Sequence, residues 1–176
     1  TQELQQMLSD ALSLSDTGPV VIRYPKGIAR SVDATDIGSG IAARKLRTGS
    51  SKKVCILAVG KMVGAALAAA ELLQQKNIEA TVWDVRSCSP LDENMIADAA
   101  SHDVVVTAED GIRDGGIGMS LEDRIHGAAT TKHPHISVLG VPTQFIPHAK
   151  PDVILAKLGL DAEGIAQKVL KTLNLN

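Results

Sequence analysis

Two stretches of the chain carry residue types that could do chemistry. The first is Arg23-Tyr24-Pro25-Lys26-Gly27, which follows the apolar run Pro19-Val20-Val21-Ile22. That run reads as a short strand, so two cations stand at its exit beside a Pro/Gly turn. A guanidinium and an ammonium presented outside the carboxyl end of a strand can hold a phosphate. The two side chains need not converge, and a solvated turn is the competing reading. The second stretch is Glu109-Asp110-Gly111-Ile112-Arg113-Asp114-Gly115-Gly116-Ile117-Gly118, between an expected strand and an expected helix. Glycines at such a junction let backbone N–H groups approach an anion. The spacing matches neither the dinucleotide fingerprint nor the P-loop, and no Lys follows the glycines. Glu109, Asp110 and Asp114 would repel a phosphate, and they lack the calcium-loop spacing. A structural strand-to-helix turn is the favoured reading here.

The remaining polar candidates carry less. His133-Pro134-His135 flanks a strand without an HxxxH pattern or a neighbouring Cys. His102 follows Ser101 at a helix end, where a cation would suit the helix dipole. His126 sits on a helix and His148 follows Pro147. All are expected to be surface or capping residues. Cys55 lies within the apolar run from Val54 to Val59, where a thiol acts as a small hydrophobe, and it forms no CxxC motif with Cys88. Free thiols and a reducing, cytoplasmic setting follow as expectations. No Ser/His/Asp or Cys/His catalytic set emerges, and no metal ligands are assigned.

The elements that must position these residues are legible in the pattern. The 176 residues are 44% hydrophobic and 22% charged, with a formal net charge of -2. This balance argues against nucleic acid or an anionic membrane as partner. Only Tyr24, Trp83 and Phe145 are aromatic, thin material for base stacking. No apolar run approaches the roughly 18 to 20 residues that span a bilayer. Position 1 is not Met, so the sequence is expected to be a piece of a longer chain.

Leu4, Met7, Leu8, Ala11 and Leu12 recur at helical spacing over the first fourteen residues. Further on, strand-like runs at 54–59, 80–85, 104–108 and 136–141 alternate with helical stretches at 62–76, 92–100 and 117–128. A helical tail follows at 161–173, and 41–46 could add an edge strand. Alternation of this kind predicts a three-layer αβα domain with a mostly parallel sheet.

Several phrases together resemble one family. Val20-Val21-Ile22-Arg23-Tyr24-Pro25-Lys26-Gly27 resembles the end of the pyrimidine-binding domain of the 1-deoxy-D-xylulose-5-phosphate synthases. Asp84-Val85-Arg86 with Ser89-Pro90-Leu91-Asp92 is similar to the second strand and following helix of the transketolase-type C-terminal domain. Glu109-Asp110-Gly111 with Gly115-Gly116-Ile117-Gly118 resembles its acidic, glycine-rich turn. The most specific markers are Gly140-Val141-Pro142, Phe145-Ile146-Pro147-His148 and Leu158-Gly159-Leu160-Asp161-Ala162-Glu163-Gly164-Ile165, in the family's order. The resemblance covers essentially the whole chain. It implies a C-terminal fragment: 1–27 the last helix and strand of the pyrimidine-binding domain, 28–39 a linker, 40–176 the transketolase C-terminal domain.

The resemblance also implies a function for the parent. Such an enzyme is a homodimer dependent on thiamine diphosphate and Mg2+. It condenses pyruvate with glyceraldehyde 3-phosphate with loss of CO2, for isoprenoid, thiamine and pyridoxal precursor synthesis. The fragment is expected to be structural and dimerising, and inactive alone. It has no Gly-Asp-Gly motif leading to a metal-binding Asn, and the glutamate and histidines of the family's active site are expected upstream of Thr1. One role carries over. The second basic residue of the family's Arg-Tyr-Pro-Arg-Gly phrase binds the aldehyde's phosphate, and it matches Lys26. Lys keeps the charge but not the bidentate fork of Arg. Arg23 matches the first basic position, with a more structural part in phosphate binding. The alternatives are another thiamine-dependent enzyme (transketolase or a 2-oxoacid dehydrogenase beta chain) or a free-standing interaction module.

Overall fold

The computed structural model describes residues 2–14, 18–24 and 33–174. Its elements run α1 (Gln2–Leu14), a short 3-10 turn (Ala34–Asp36), β1 (Arg44–Arg47), β2 (Val54–Ala58), α2 (Met62–Gln74), β3 (Ala80–Asp84) and α3 (Glu93–Ala100). They continue with β4 (Val104–Ile112), α4 (Ile117–Ala128), β5 (His135–Val141), α5 (Pro151–Lys157) and α6 (Ala162–Thr172). The five strands form one sheet in the order β1-β3-β2-β4-β5. β2 pairs in parallel with both β3 and β4, and β4 with β5, while β1 runs antiparallel to β3 at the edge.

The continuous apolar run of β2 follows from its central place. Strand side chains alternate between faces, and both faces are covered, so every β2 residue is buried. Val54, Ile56 and Ala58 pack with Met62, Ala66, Ala69, Ala70 and Leu73 of α2 and with Ile165 and Val169 of α6. Cys55 and Leu57 pack on the other face with Met95 and Ile96 of α3 and Leu121 and Ile125 of α4. This is the three-layer αβα architecture that the alternation predicts. The Ala stripe of α2 lets that helix lie close to the sheet, which is where the Ala-rich composition goes.

Four expectations need adjusting. Pro19–Ile22 joins no strand: a strand needs a partner for its backbone groups, and among the described residues it has none. The edge strand is Arg44–Arg47 rather than 41–46. β4 does not stop at Ala108 but continues to Ile112, with a register irregularity between the two positions. The pattern also missed α5, whose seven residues are too few to establish a period; Pro151 opens it. Residues 28–32 of the expected linker lie outside the described residues.

Helix α1 is held on the domain by polar contacts. Glu3 accepts from Arg86 Nε at 2.7 Å and from the Gly38 amide at 3.0 Å, and Asp10 accepts from the Gly40 amide at 2.6 Å. The Arg86 side chain is only 2% exposed. Its Nη1 also donates to the carbonyls of Ser39, Gly40 and Ala42. The opposite, apolar side of α1 lines an open groove with Pro19, Val20 and Ile22, and leaves Leu8 and Leu12 exposed.

Candidate functional site

The carboxyl ends of the parallel strands bring the two chemistry-bearing stretches together. β4 ends in Glu109-Asp110-Gly111-Ile112, and Arg23 reaches it from the N-terminal segment: Arg23 Nη2 lies 3.4 Å from Asp110 Oδ1. The Asp110 side chain is 25% exposed and that of Arg23 71%, so the guanidinium keeps most of its surface for solvent or a ligand. Lys26 lies outside the described residues.

Within the turn, the anion position is already filled. Glu109 is buried, and its Oε1 accepts from the Gly118 amide at 2.9 Å. A carboxylate at this end of α4 meets unpaired N–H groups and the positive end of the helix dipole. The glycines make room for it. A Cβ on Gly116 would lie 2.0 Å from the Ile112 carbonyl oxygen and 2.5 Å from Glu109 Oε1. One on Gly118 would lie 2.6 Å from Val138 Cγ1. The glycine-rich turn is thus an internal cap, as the structural reading expected. Its carboxylates also diverge. Glu109 points inward, Asp110 meets Arg23, and Asp114 lies 3.6 Å from Arg113 Nε and accepts weakly from Thr143. Among the described residues, no three His, Cys, Asp or Glu side chains come together as a metal site.

Next to this turn, Cys88 feels both partners. Burial pushes its thiol up, the Glu109 carboxylate adds to that, and Arg23 pulls the other way. Burial pushes the Cys55 thiol up far more. Both cysteines are free, and neither is activated as a nucleophile.

Of the histidines, His126, His133, His135 and His148 are exposed as expected. The first two meet edge to face, with ring centroids 5.7 Å apart. His102 caps a helix end as expected, but it is buried and uncharged. It is only 2% exposed, with Nδ1 2.8 Å from the Asp98 carbonyl and Nε2 3.3 Å from Thr81 Oγ1. Burial lowers its pKa, so it caps the end of α3 as a neutral ring rather than as a surface cation.

The pattern gave no sign of two partly buried charge clusters. Asp98 accepts from Trp83 Nε1 at 2.8 Å and pairs with Lys45 at 3.0 Å and with Lys52. Burial alone would raise its pKa, yet the donors Lys52, Lys45 and Trp83 outweigh that and hold it at about 2. Asp84, at the end of β3, is pushed up to about 6 by burial, against the pull of the Arg86 amide and guanidinium. The partners of Asp98 are too far from it in sequence to leave a local signal.

The family model "Transketolase, C-terminal domain" matches residues 42–165, a stretch that includes β1 to α5, the capped turn and the start of α6. The chain belongs to the transketolase C-terminal domain family. Its relatives narrow the likeness further. It is 37% identical over 170 residues to the 1-deoxy-D-xylulose-5-phosphate synthase of Magnetococcus marinus, covering 93% of this chain and 26% of the relative. It is 36% identical over 169 residues to that of Thermobifida fusca, covering 94% and 26%. For Pseudomonas syringae pv. tomato the figures are 36% over 180 residues, covering 98% and 26%. The chain spans about a quarter of the length of these relatives. Among solved structures, a split-gene transketolase described as an inactive beta4 tetramer is similar with a TM-score of 0.72 and 29% identity. That match covers 85% of this chain and 48% of the other. Transketolase variants from Pichia stipitis share the fold, with a TM-score of 0.53 and 17% identity over 76% of this chain and 18% of theirs. No helix among the described residues is long and apolar enough to cross a membrane.

Proposed function

We propose that the chain is the C-terminal part of a 1-deoxy-D-xylulose-5-phosphate synthase. The whole enzyme, a cytoplasmic homodimer, condenses pyruvate with glyceraldehyde 3-phosphate with loss of CO2. The observation that carries this reading is 36–37% identity to such synthases along 93–98% of the chain. The transketolase reading rests on a weaker likeness, and nothing specific favours a free-standing module.

Thiamine diphosphate supplies the electron sink for the decarboxylated pyruvate carbons when bound, and Mg2+ its diphosphate anchor. The described residues do not fit either group. They offer no three-ligand cluster, and the backbone amide at the best anion position, ahead of α4, is bonded to Glu109. We therefore assign no step through the cofactor to this chain and place its anchor in the part of the synthase length that the chain does not span. Alone, the chain is inactive. Its part in the whole enzyme is structural, with one contact to substrate: Lys26, assisted by Arg23, holds the aldehyde's phosphate. An ammonium is a point charge that neutralises a phosphate without fixing its plane.

The test is Lys26→Ala in the full-length enzyme. The KM for glyceraldehyde 3-phosphate rises and that for pyruvate does not. Unchanged kinetics return Lys26 to a solvated turn.

A further inference from the structure

The Glu109–Gly118 turn and the Arg23 segment are 86 or more positions apart in sequence, yet the fold sets them in contact. The turn is tied and tightly packed where they meet. Glu109 is locked to the Gly118 amide at 2.9 Å, and its Oε2 would lie 2.7 Å from any Cβ on Gly111. Asp110, between these two fixed points, presents its carboxylate to Arg23 Nη2 at 3.4 Å. A second guanidinium nitrogen, Nη1, lies 4.0 Å from the Cβ position built on Gly111. The Arg23 side chain is 71% exposed, and among the described residues Asp110 is the charged group that meets it. A carboxylate at one edge of a guanidinium leaves the other donors available, since Arg carries five N–H groups in a planar fork.

We infer that Asp110 is a positioning residue for phosphate recognition: it fixes the Arg23 guanidinium so that its open edge faces the phosphorylated end of the aldehyde. The inference rests on the phosphate reading given above for Arg23 and Lys26. It gives this domain a share in substrate selection through a residue that touches no substrate. The opposite possibility, that Asp110 merely neutralises Arg23, predicts tighter phosphate binding once the carboxylate is removed. The two accounts therefore differ in sign.

The test is steady-state kinetics of the full-length enzyme with glyceraldehyde 3-phosphate and with unphosphorylated glyceraldehyde. In Asp110→Asn the KM for the phosphorylated aldehyde rises about two- to fivefold, the range expected for an exposed ion pair. The KM for unphosphorylated glyceraldehyde, the KM for pyruvate and kcat stay put. Asp110→Glu restores most of the loss. In an Arg23→Ala background Asp110→Asn has no further effect. An unchanged or lower KM in Asp110→Asn overturns the inference, as does an equal rise for both aldehydes. If Arg23→Ala and Lys26→Ala both leave the preference for the phosphorylated aldehyde intact, the phosphate reading falls and the inference with it. If those two lower it and Asp110→Asn does not, only the inference falls.

Discussion

Glu109→Ala probes the internal cap directly. The Glu109 carboxylate is 7% exposed and accepts from the Gly118 amide at 2.9 Å, so truncation leaves a buried N–H at the start of α4 without its acceptor. A hydrogen bond to a charged group contributes about 1.5–3 kcal/mol. The charge at a helix N-terminus adds about 0.3–1 kcal/mol. The loss is therefore about 2–4 kcal/mol, which lowers the Tm of a chain of this size by roughly 4–16 °C. Glu109→Gln keeps an acceptor oxygen and loses only the charge, so it falls by a smaller amount, about 1 kcal/mol. Thermal unfolding followed by circular dichroism measures both, and amide exchange locates the effect at Gly118 and the first turn of α4. A Glu109→Ala chain that melts within 1 °C of the wild type, about a quarter to a half of a kcal/mol here, would show that the carboxylate does not cap this helix.

Three further outcomes follow from other parts of the structure. Arg86→Leu removes the donors that Glu3 and three carbonyls share. Exchange protection over 2–14 should fall about tenfold or more, the equivalent of losing one charge-assisted bond, while β2 and β4 stay protected; equal loss everywhere would contradict the anchoring role. Gly164→Ala places a Cβ 2.4 Å from the Gly159 Cα, a clash with backbone, and should cost about 1–3 kcal/mol in thermal unfolding; an unchanged Tm would contradict it. The two perturbed aspartates act in opposite directions with pH. Asp98 is held at about 2, below its ordinary 3.8, so its contribution is complete above about pH 4 and is lost as pH falls through 2. With partly exposed partners it amounts to about 1–2 kcal/mol. Asp84 is raised to about 6 from 3.8, so the fold is favoured below pH 4 and gives up about 3 kcal/mol as pH rises from 4 through 6. Asp84→Asn should flatten urea-derived stability between pH 4 and 6 and raise it at pH 7; a slope equal to the wild type's would contradict the burial argument.

Most of the fold was legible because its signals are local. The buried β2 run, the helix faces of α2, α4 and α6 and the strand–helix alternation each declare themselves within fifteen residues, and the sheet follows from them. Pro19–Ile22 reads as a strand for the same reason, and pairs with no strand among the described residues. Its β-branched residues have strand propensity, but a strand also needs a neighbour to pair with. His102, next to a helix end, suggested a surface or capping cation; only the packed chain shows Thr81 and the Asp98 carbonyl closing over the ring. The site was half legible. The glycines and acids of 109–118 announced a turn, and the turn's reason, a carboxylate turned inward onto Gly118, depends on three-dimensional proximity. The meeting of Arg23 with Asp110, like those of Glu3 with Arg86 and Lys45 with Asp98, joins residues too distant for any spacing rule to pair.

Turnover by the full-length protein tests whether the chain completes a pyruvate-using synthase. Supplied with thiamine diphosphate and Mg2+, that protein should release CO2 from pyruvate and form a five-carbon phosphorylated ketose when glyceraldehyde 3-phosphate is added. The 176-residue chain alone should form none. Turnover only with a ketose donor in place of pyruvate, or product from the isolated chain, would contradict the account.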